Sequence, residues 1–256
     1  MPGDASPKFR AVPARRVWPL ARRSAVQLAA VLFDVTGTLI ELRETVGVTY
    51  ARIAARHGVR VSAHPLGKAF DRVMESASPR IFPGRNPEQI RTAEHNWWRE
   101  RVRETFENAE TGLRFEDFDA FFAELFEVYA GAQAWRLRTD ALPALARVRG
   151  LGLQLGVISN FDYRLPRVLQ DLEIRGFMDV VLFPACCAAA KPSPNIFRAA
   201  EIALGLRAHQ CAYVGHDPIL DIGAARAAGW HEIDAGSGLN SRTLSARIEW
   251  LAKLLT

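Results

Sequence analysis

Cysteine is scarce in this chain. The three present, Cys186, Cys187 and Cys211, show no C-x-x-C spacing and no metal-ligand pattern. That excludes a disulfide scaffold and a thiolate zinc site, and it suits a reducing compartment, so a cytoplasmic protein is expected. Cys186 and Cys187 are expected to pack near a strand end. Long apolar runs are also missing. The nearest candidate, 17–33, is broken by Arg22 and Arg23, so no membrane-spanning segment and no membrane partner are expected. No helix-turn-helix, zinc finger or other nucleic-acid module is present. The formal net charge of +5 therefore reads as scattered arginine, and no nucleic-acid partner is expected. Internal repeats and extended low-complexity tracts are absent as well.

What is present divides into zones. Lys8, Arg10, Arg15, Arg16, Arg22 and Arg23 face a single acid, Asp4, among four prolines in the first two dozen residues. Residues 1–25 read as a basic flexible arm, with an organelle transit peptide as the alternative. A helical block follows over 42–138. Val46 to Ala54 fit a helix capped near His57-Gly58, and Ala69 to Met74 a second. A Pro/Gly-rich loop spans 78–87, Trp97 to Phe106 mark a third helix, and Phe115 to Tyr129 a fourth. The aromatic stripe of that last helix is expected to be core, while one of Trp97 and Trp98 is expected to face a cleft. Residues 26–41 and 139–256 alternate strand and helix, the pattern of a parallel sheet covered on both faces.

The chemistry collects at the predicted strand ends. Ala29-Ala30-Val31-Leu32-Phe33 reads as a buried strand that delivers Asp34 into the turn Val35-Thr36-Gly37-Thr38. Ser159-Asn160 follow the strand ending at Ile158. Lys191-Pro192 lie beyond the strand 180–183, and His216-Asp217 and Asp221 follow Val214-Gly215. In an open α/β sheet these ends converge on one edge, where ligands bind.

These four segments, Phe33 to Leu39, Val157 to Asn160, Lys191 to Pro194 and Val214 to Asp221, resemble the haloacid dehalogenase (HAD) superfamily. Within it, Val46 to Val59, Trp97-Trp98 and Ile158 to Asp162 look closest to the REG-2-like (HDHD3-like) hydrolases. The resemblance implies an α/β fold: a Rossmann-like parallel-sheet core, 26–41 plus 139–256, with an inserted four-helix, C1-type cap, 42–138. It also implies a small phosphorylated substrate, with Asp34 as the nucleophile that forms an aspartyl-phosphate. Mg²⁺ is implied on Asp34, the backbone carbonyl of Thr36, and Asp217 or Asp221. Ser159, Asn160 and Thr38 are implied to bind substrate, and Lys191 to neutralise charge beside Asp34. The oligomeric state is left open.

Two positions depart from the family pattern. Thr36 stands where phosphatases of the superfamily carry an acid/base Asp, and a threonine hydroxyl does not titrate near neutral pH. Losing such a group typically lowers rate about 10²–10⁴-fold. His216 stands where the first acid of the last motif is expected. Mg²⁺ prefers oxygen, so a supporting role is assigned to it. The leading expectation is thus a Mg²⁺-dependent phosphatase, slowed by Thr36. The alternatives are a catalytically weak or inactive HAD-fold binding or regulatory protein, and a 2-haloacid dehalogenase.

Overall fold

Strand and helix alternate in the computed structural model as the hydrophobic pattern predicts, and five strands form one all-parallel sheet. Residues 28–110, 112–236 and 244–255 are described; the expected basic arm lies outside them. The chain runs β1 (Ala30–Phe33), β2 (Ile40–Leu42), α1 (Val46–Arg56), α2 (Ala63–Ser76), α3 (Pro87–Ala109), α4 (Phe118–Val128) and β3 (Trp135–Leu137). It continues through α5 (Ala141–Gly150), β4 (Gln154–Ile158), α6 (Leu165–Asp171), β5 (Val180–Leu182), α7 (Pro184–Cys187) and α8 (Pro194–Leu204). It closes with β6 (Cys211–Gly215), α9 (Ala224–Ala227), β7 (His231–Asp234) and α10 (Leu244–Leu255). The sheet order is β5-β4-β1-β6-β7.

Every residue of β1 is fully buried, because a central parallel strand has helices on both faces. Alternation sorts its side chains. Val31 and Phe33 join Leu155, Val157, Ala212 and Val214 in one core, which continues into the helical block. Ala30 and Leu32 join Ile158, Tyr213, Ile196 and Phe197 in the other, under α8. Phe33 pairs with Val157 on one side and Val214 on the other. That register brings the next residues, Asp34, Ile158 and Gly215, level at one edge.

Helices α1 to α4 leave the sheet after β2 and return at β3. These two short strands pair antiparallel, from Ile40↔Leu137 to Leu42↔Trp135. Asn86 begins α3 with a capping box: its side chain accepts from Gln89 N–H, and Gln89 answers at the Asn86 N–H. This satisfies two of the N–H groups that a helix start leaves open. The aromatic stripe of α4 does more than fill core. Phe121 is wholly buried, whereas Phe122 and Phe126 also line a cavity.

One local expectation is corrected: Cys186 is exposed rather than packed, and Cys187 is half-buried. The chain enters α9 through a π-helical turn, Pro218–Gly223. No helix among the described residues is long and apolar enough to cross a membrane.

Candidate active site

The strand ends meet around a single ammonium group. Lys191 Nζ donates to Asp34 Oδ1 at 2.8 Å, to Asp221 Oδ1 at 2.5 Å and to the Tyr213 hydroxyl at 2.9 Å. All four residues are buried. Three charges in a low-dielectric edge are tolerable only when paired and hydrogen-bonded throughout. The remaining bonds are accordingly made: Tyr213 donates to the Ile158 carbonyl at 2.6 Å. Asp221 Oδ2 accepts the backbone N–H groups of His216 and Asp217, both at 2.9 Å. Burial pushes the Asp34 carboxyl up, but Lys191 and His216 outweigh it and hold its pKa below the ordinary value. Asp34 is thereby kept as a carboxylate anion.

Two glycines permit this geometry. Gly37 has φ 84°, a left-handed turn favouring glycine, and a Cβ there would stand 2.6 Å from His216 Cε1. A Cβ on Gly215 would stand 2.4 Å from Asp221 Cβ. The turn after β1 therefore closes on His216, and the segment after β6 folds back so that Asp221 packs on Gly215, only because neither glycine carries a side chain.

The other residues singled out in the sequence take varied places. Thr36 is exposed and, with Ser159, lines the cavity beside Asp34. Thr38 is 1% exposed and absent from the cavity lining; its hydroxyl lies 3.3 Å from Asp34 Oδ2 and 3.2 Å from His216 Nδ1. It therefore stands behind the Asp34 carboxylate and not on the cavity wall. Asn160 spends its amide on Lys191: Nδ2 donates to the Lys191 carbonyl at 2.9 Å, and Oδ1 accepts the Lys191 N–H at 2.8 Å. It fixes the backbone that carries the ammonium. Asp217 Oδ1 accepts the N–H groups of Ile219 and Leu220, capping the π-helical turn.

Among the described residues, Asp34, Asp221 and His216 form the one group whose ligand atoms are close enough to share a metal ion. Asp217 is outside it. His216 Nδ1 stands 3.6 Å from Asp34 Oδ2 and 3.6 Å from Asp221 Oδ2. Both carboxylates thus give Oδ1 to Lys191 and present Oδ2 toward the imidazole. Two carboxylate oxygens are a fitting donor pair for a divalent cation. Contact with Asp34 raises the His216 pKa above the usual imidazole value, against partial burial.

Above this edge opens a cavity of about 450 Å³. Its walls are largely apolar and come from the helical block and the β3 region: Tyr50, Phe70, Trp98, Phe122, Phe126 and Trp135. Sequence reasoning missed the charged cluster on its flank. Asp162 and Arg164 form a bidentate pair at 2.9 and 2.6 Å, and Trp98 Nε1 donates to Asp162 Oδ2 at 2.7 Å. Arg80 lies 5.2 Å from the Trp97 and Trp98 ring centroids, and it donates to the Asn160 carbonyl at 2.7 Å. The Arg80 loop, α3 and the turn after β4 are thereby joined. Only the tryptophan pair gave a signal of this in the sequence.

Glu94 completes that junction. It is fully buried, accepts the Tyr163 N–H at 3.0 Å and sits 3.6 Å from Arg80 Nε. Burial pushes its pKa up from 4.5 to about 7, against the Tyr163 N–H and Arg80. Between those values the folded chain holds a proton that the unfolded chain has released. Stability is therefore highest below the lower value and falls as pH rises through the window, by at most about 3 kcal/mol. Urea unfolding at pH 5 and pH 8 should show this fall in the wild type and a smaller one in Glu94→Gln. Equal falls in both would assign the pH dependence elsewhere.

Comparison with known proteins follows this geometry. A sequence model of haloacid dehalogenase-like hydrolases matches residues 28–229. The chain is 35% identical over 207 residues to the haloacid dehalogenase-like hydrolase domain-containing protein 3 of Bos taurus, covering 80% of this chain and 81% of that one. It is 31% identical over 219 residues to the rhythmically expressed gene 2 protein of Drosophila melanogaster, covering 82% and 83%. Among solved structures, a HAD phosphatase from Thermococcus onnurineus superposes with TM-score 0.59 at 20% identity, covering 90% of this chain and all of that one. An L-2-haloacid dehalogenase from Xanthobacter autotrophicus gives 0.59 at 19%, covering 81% and 77%. At such identity the structures speak for the fold.

Proposed function

The chain belongs to the haloacid dehalogenase-like hydrolase family, and on that premise we propose that it hydrolyses a small phosphate monoester with an apolar organic part through an aspartyl-phosphate on Asp34. One observation carries this reading: an ionised Asp34, held by Lys191 and Thr38, at the floor of a largely apolar cavity. Helices α1 to α4 serve as the cap that receives the organic part and excludes water.

Asp34 attacks phosphorus, the bond to the leaving oxygen breaks, and the phosphoryl group is carried on the carboxylate. Lys191 and the Ser159 hydroxyl face the charge that builds on the phosphoryl oxygens. Asn160 and Tyr213 keep the ammonium at its station. Water then attacks the phosphorus of the acyl phosphate, which returns Asp34 and releases inorganic phosphate. Asp34, Asp221 and the Thr36 carbonyl would hold a divalent cation, which when bound adds positive charge where two anions meet.

No residue at position 36 can protonate the leaving oxygen, so the first step favours substrates whose leaving group departs as an anion. Aryl and acyl phosphates should turn over, and alkyl phosphates should lag. Thr36→Asp should raise alkyl phosphate turnover by roughly 10²-fold, the typical contribution of a placed general acid. Steady-state rates on p-nitrophenyl phosphate and on an alkyl phosphate, for both chains, test this. An equal alkyl rate in the two would show that proton transfer is not what the native site lacks. Chloride release from 2-chloropropionate in the presence of a chelator would instead support dehalogenation.

A further inference from the structure

The divalent site of this chain differs in its chemistry from one built of oxygen alone. We infer that His216 is itself a ligand, and that the site selects a transition ion such as Mn²⁺ over Mg²⁺. The inference rests on the proposed function only in placing a cation beside Asp34; it does not depend on which bond Asp34 attacks.

Three observations place the imidazole there. First, its Nδ1 is equidistant, at 3.6 Å, from Asp34 Oδ2 and Asp221 Oδ2, the two carboxylate oxygens that do not accept from Lys191. Asp221 Oδ2 also accepts two backbone N–H groups, and the Thr38 hydroxyl lies 3.2 Å from Nδ1. Ligand atoms about 2.1 Å from a shared ion lie roughly 3 to 3.5 Å apart, so each nitrogen–oxygen separation is within a few tenths of an ångström of that range, and all three ligand atoms lie within 4.8 Å of one another. Second, the residue is fixed in place. Gly37 lies against the ring with no room for a Cβ, and the His216 backbone N–H is tied to Asp221. Third, Asp217, the other acid of this turn, lies outside the group whose ligand atoms could share an ion, with its Oδ1 turned to the Ile219 and Leu220 N–H groups.

The chemistry then follows from the donors. Mg²⁺ dehydrates reluctantly and takes oxygen ligands in near-ideal octahedra, so an imidazole in place of a carboxylate removes both a charge and a preferred atom. Mn²⁺ also favours oxygen donors but, as a first-row transition ion, accepts an imidazole nitrogen more readily than Mg²⁺ does. Mg²⁺ would leave the imidazole outside its ligand shell, whereas an ion that accepts nitrogen takes it in.

Binding can be read without turnover. Mn²⁺ and Mg²⁺ affinities would be measured by calorimetry for the wild type and for His216→Asp, and nitrogen hyperfine modulation would be sought in the electron spin echo of bound Mn²⁺. Mn²⁺ is preferred to Zn²⁺ as the probe because it has little affinity for exposed thiols such as Cys186. Wild type should bind Mn²⁺ with imidazole nitrogen coupling. His216→Asp should lose that coupling and shift the Mg²⁺ to Mn²⁺ affinity ratio by at least about tenfold toward Mg²⁺. No Mn²⁺ binding, no nitrogen coupling in the wild type, or an unchanged ratio would overturn the inference. Because the wild-type spectrum stands alone, a variant that fails to fold does not remove the test. Failure here leaves the hydrolase reading intact, since that is judged by the fate of the phosphoryl group.

Discussion

Asp34→Asn is expected to abolish phosphate ester turnover, by on the order of 10⁴-fold or more, while leaving the fold in place. Removing a nucleophile that forms a covalent intermediate removes the path, not a refinement of it. The fold should survive for an electrostatic reason. Lys191 stands between two carboxylates, so an amide at position 34 leaves one ammonium opposite one carboxylate. The Asn oxygen can still accept from Lys191. Melting temperature and circular dichroism close to those of the wild type, with turnover gone, is the expected pair of results. Retained turnover would remove Asp34 from the chemistry.

Lys191→Met should do the opposite and strike stability first. It keeps roughly the volume of the side chain but leaves Asp34 and Asp221 buried with no ammonium between them. Removing one partner of a buried ion pair typically destabilises by about 3–5 kcal/mol, because the other charge stays desolvated and unpaired. Here two charges are stranded, and Tyr213 loses its donor. The pH dependence gives the mechanism away. Without the ammonium, burial and the neighbouring carboxylate raise the Asp34 pKa above its unfolded value. The variant is then least destabilised at low pH, where Asp34 is protonated, and loses stability as pH rises through the raised value. Denaturant unfolding at several pH values checks this. A loss under 1 kcal/mol, or one independent of pH, would mean that Lys191 is not what permits the acids to be buried.

The sheet and its chemical edge were legible because they rest on local patterns. Ala30 to Phe33 could only be a strand buried on both faces, and its end fixed where Asp34 must lie. Lys191 and Asp221 lie further past their strands, and it was the resemblance to the family that gave them their roles. Residue types were easier to read than directions. Thr38 and Asn160 are polar groups at the right turns, yet one stands behind the nucleophile and the other clamps the backbone of Lys191. Tyr213 was hidden because it sits in the apolar run of β6, where an aromatic reads as core. Its hydroxyl matters only because the sheet register sets it beside the Ile158 carbonyl. The Arg80, Glu94, Asp162 and Arg164 cluster joins segments dozens of residues apart, and no periodicity reports such contacts. The β2–β3 pair is three residues long on each side, too short for its alternation to register. The π-helical turn depends on Asp217 capping its own downstream N–H groups, and from sequence that looks like the start of an ordinary helix.

The central claim is that the phosphoryl group passes through a covalent bond to one carboxylate. Acid quenching during turnover of an activated aryl phosphate, followed by peptide mass spectrometry, tests it most directly. With no acid at position 36 to assist the second step, the intermediate should accumulate, and the added mass of one phosphoryl group should map to Asp34. Turnover with no modified peptide, or with the phosphoryl group on any other residue, would contradict the account.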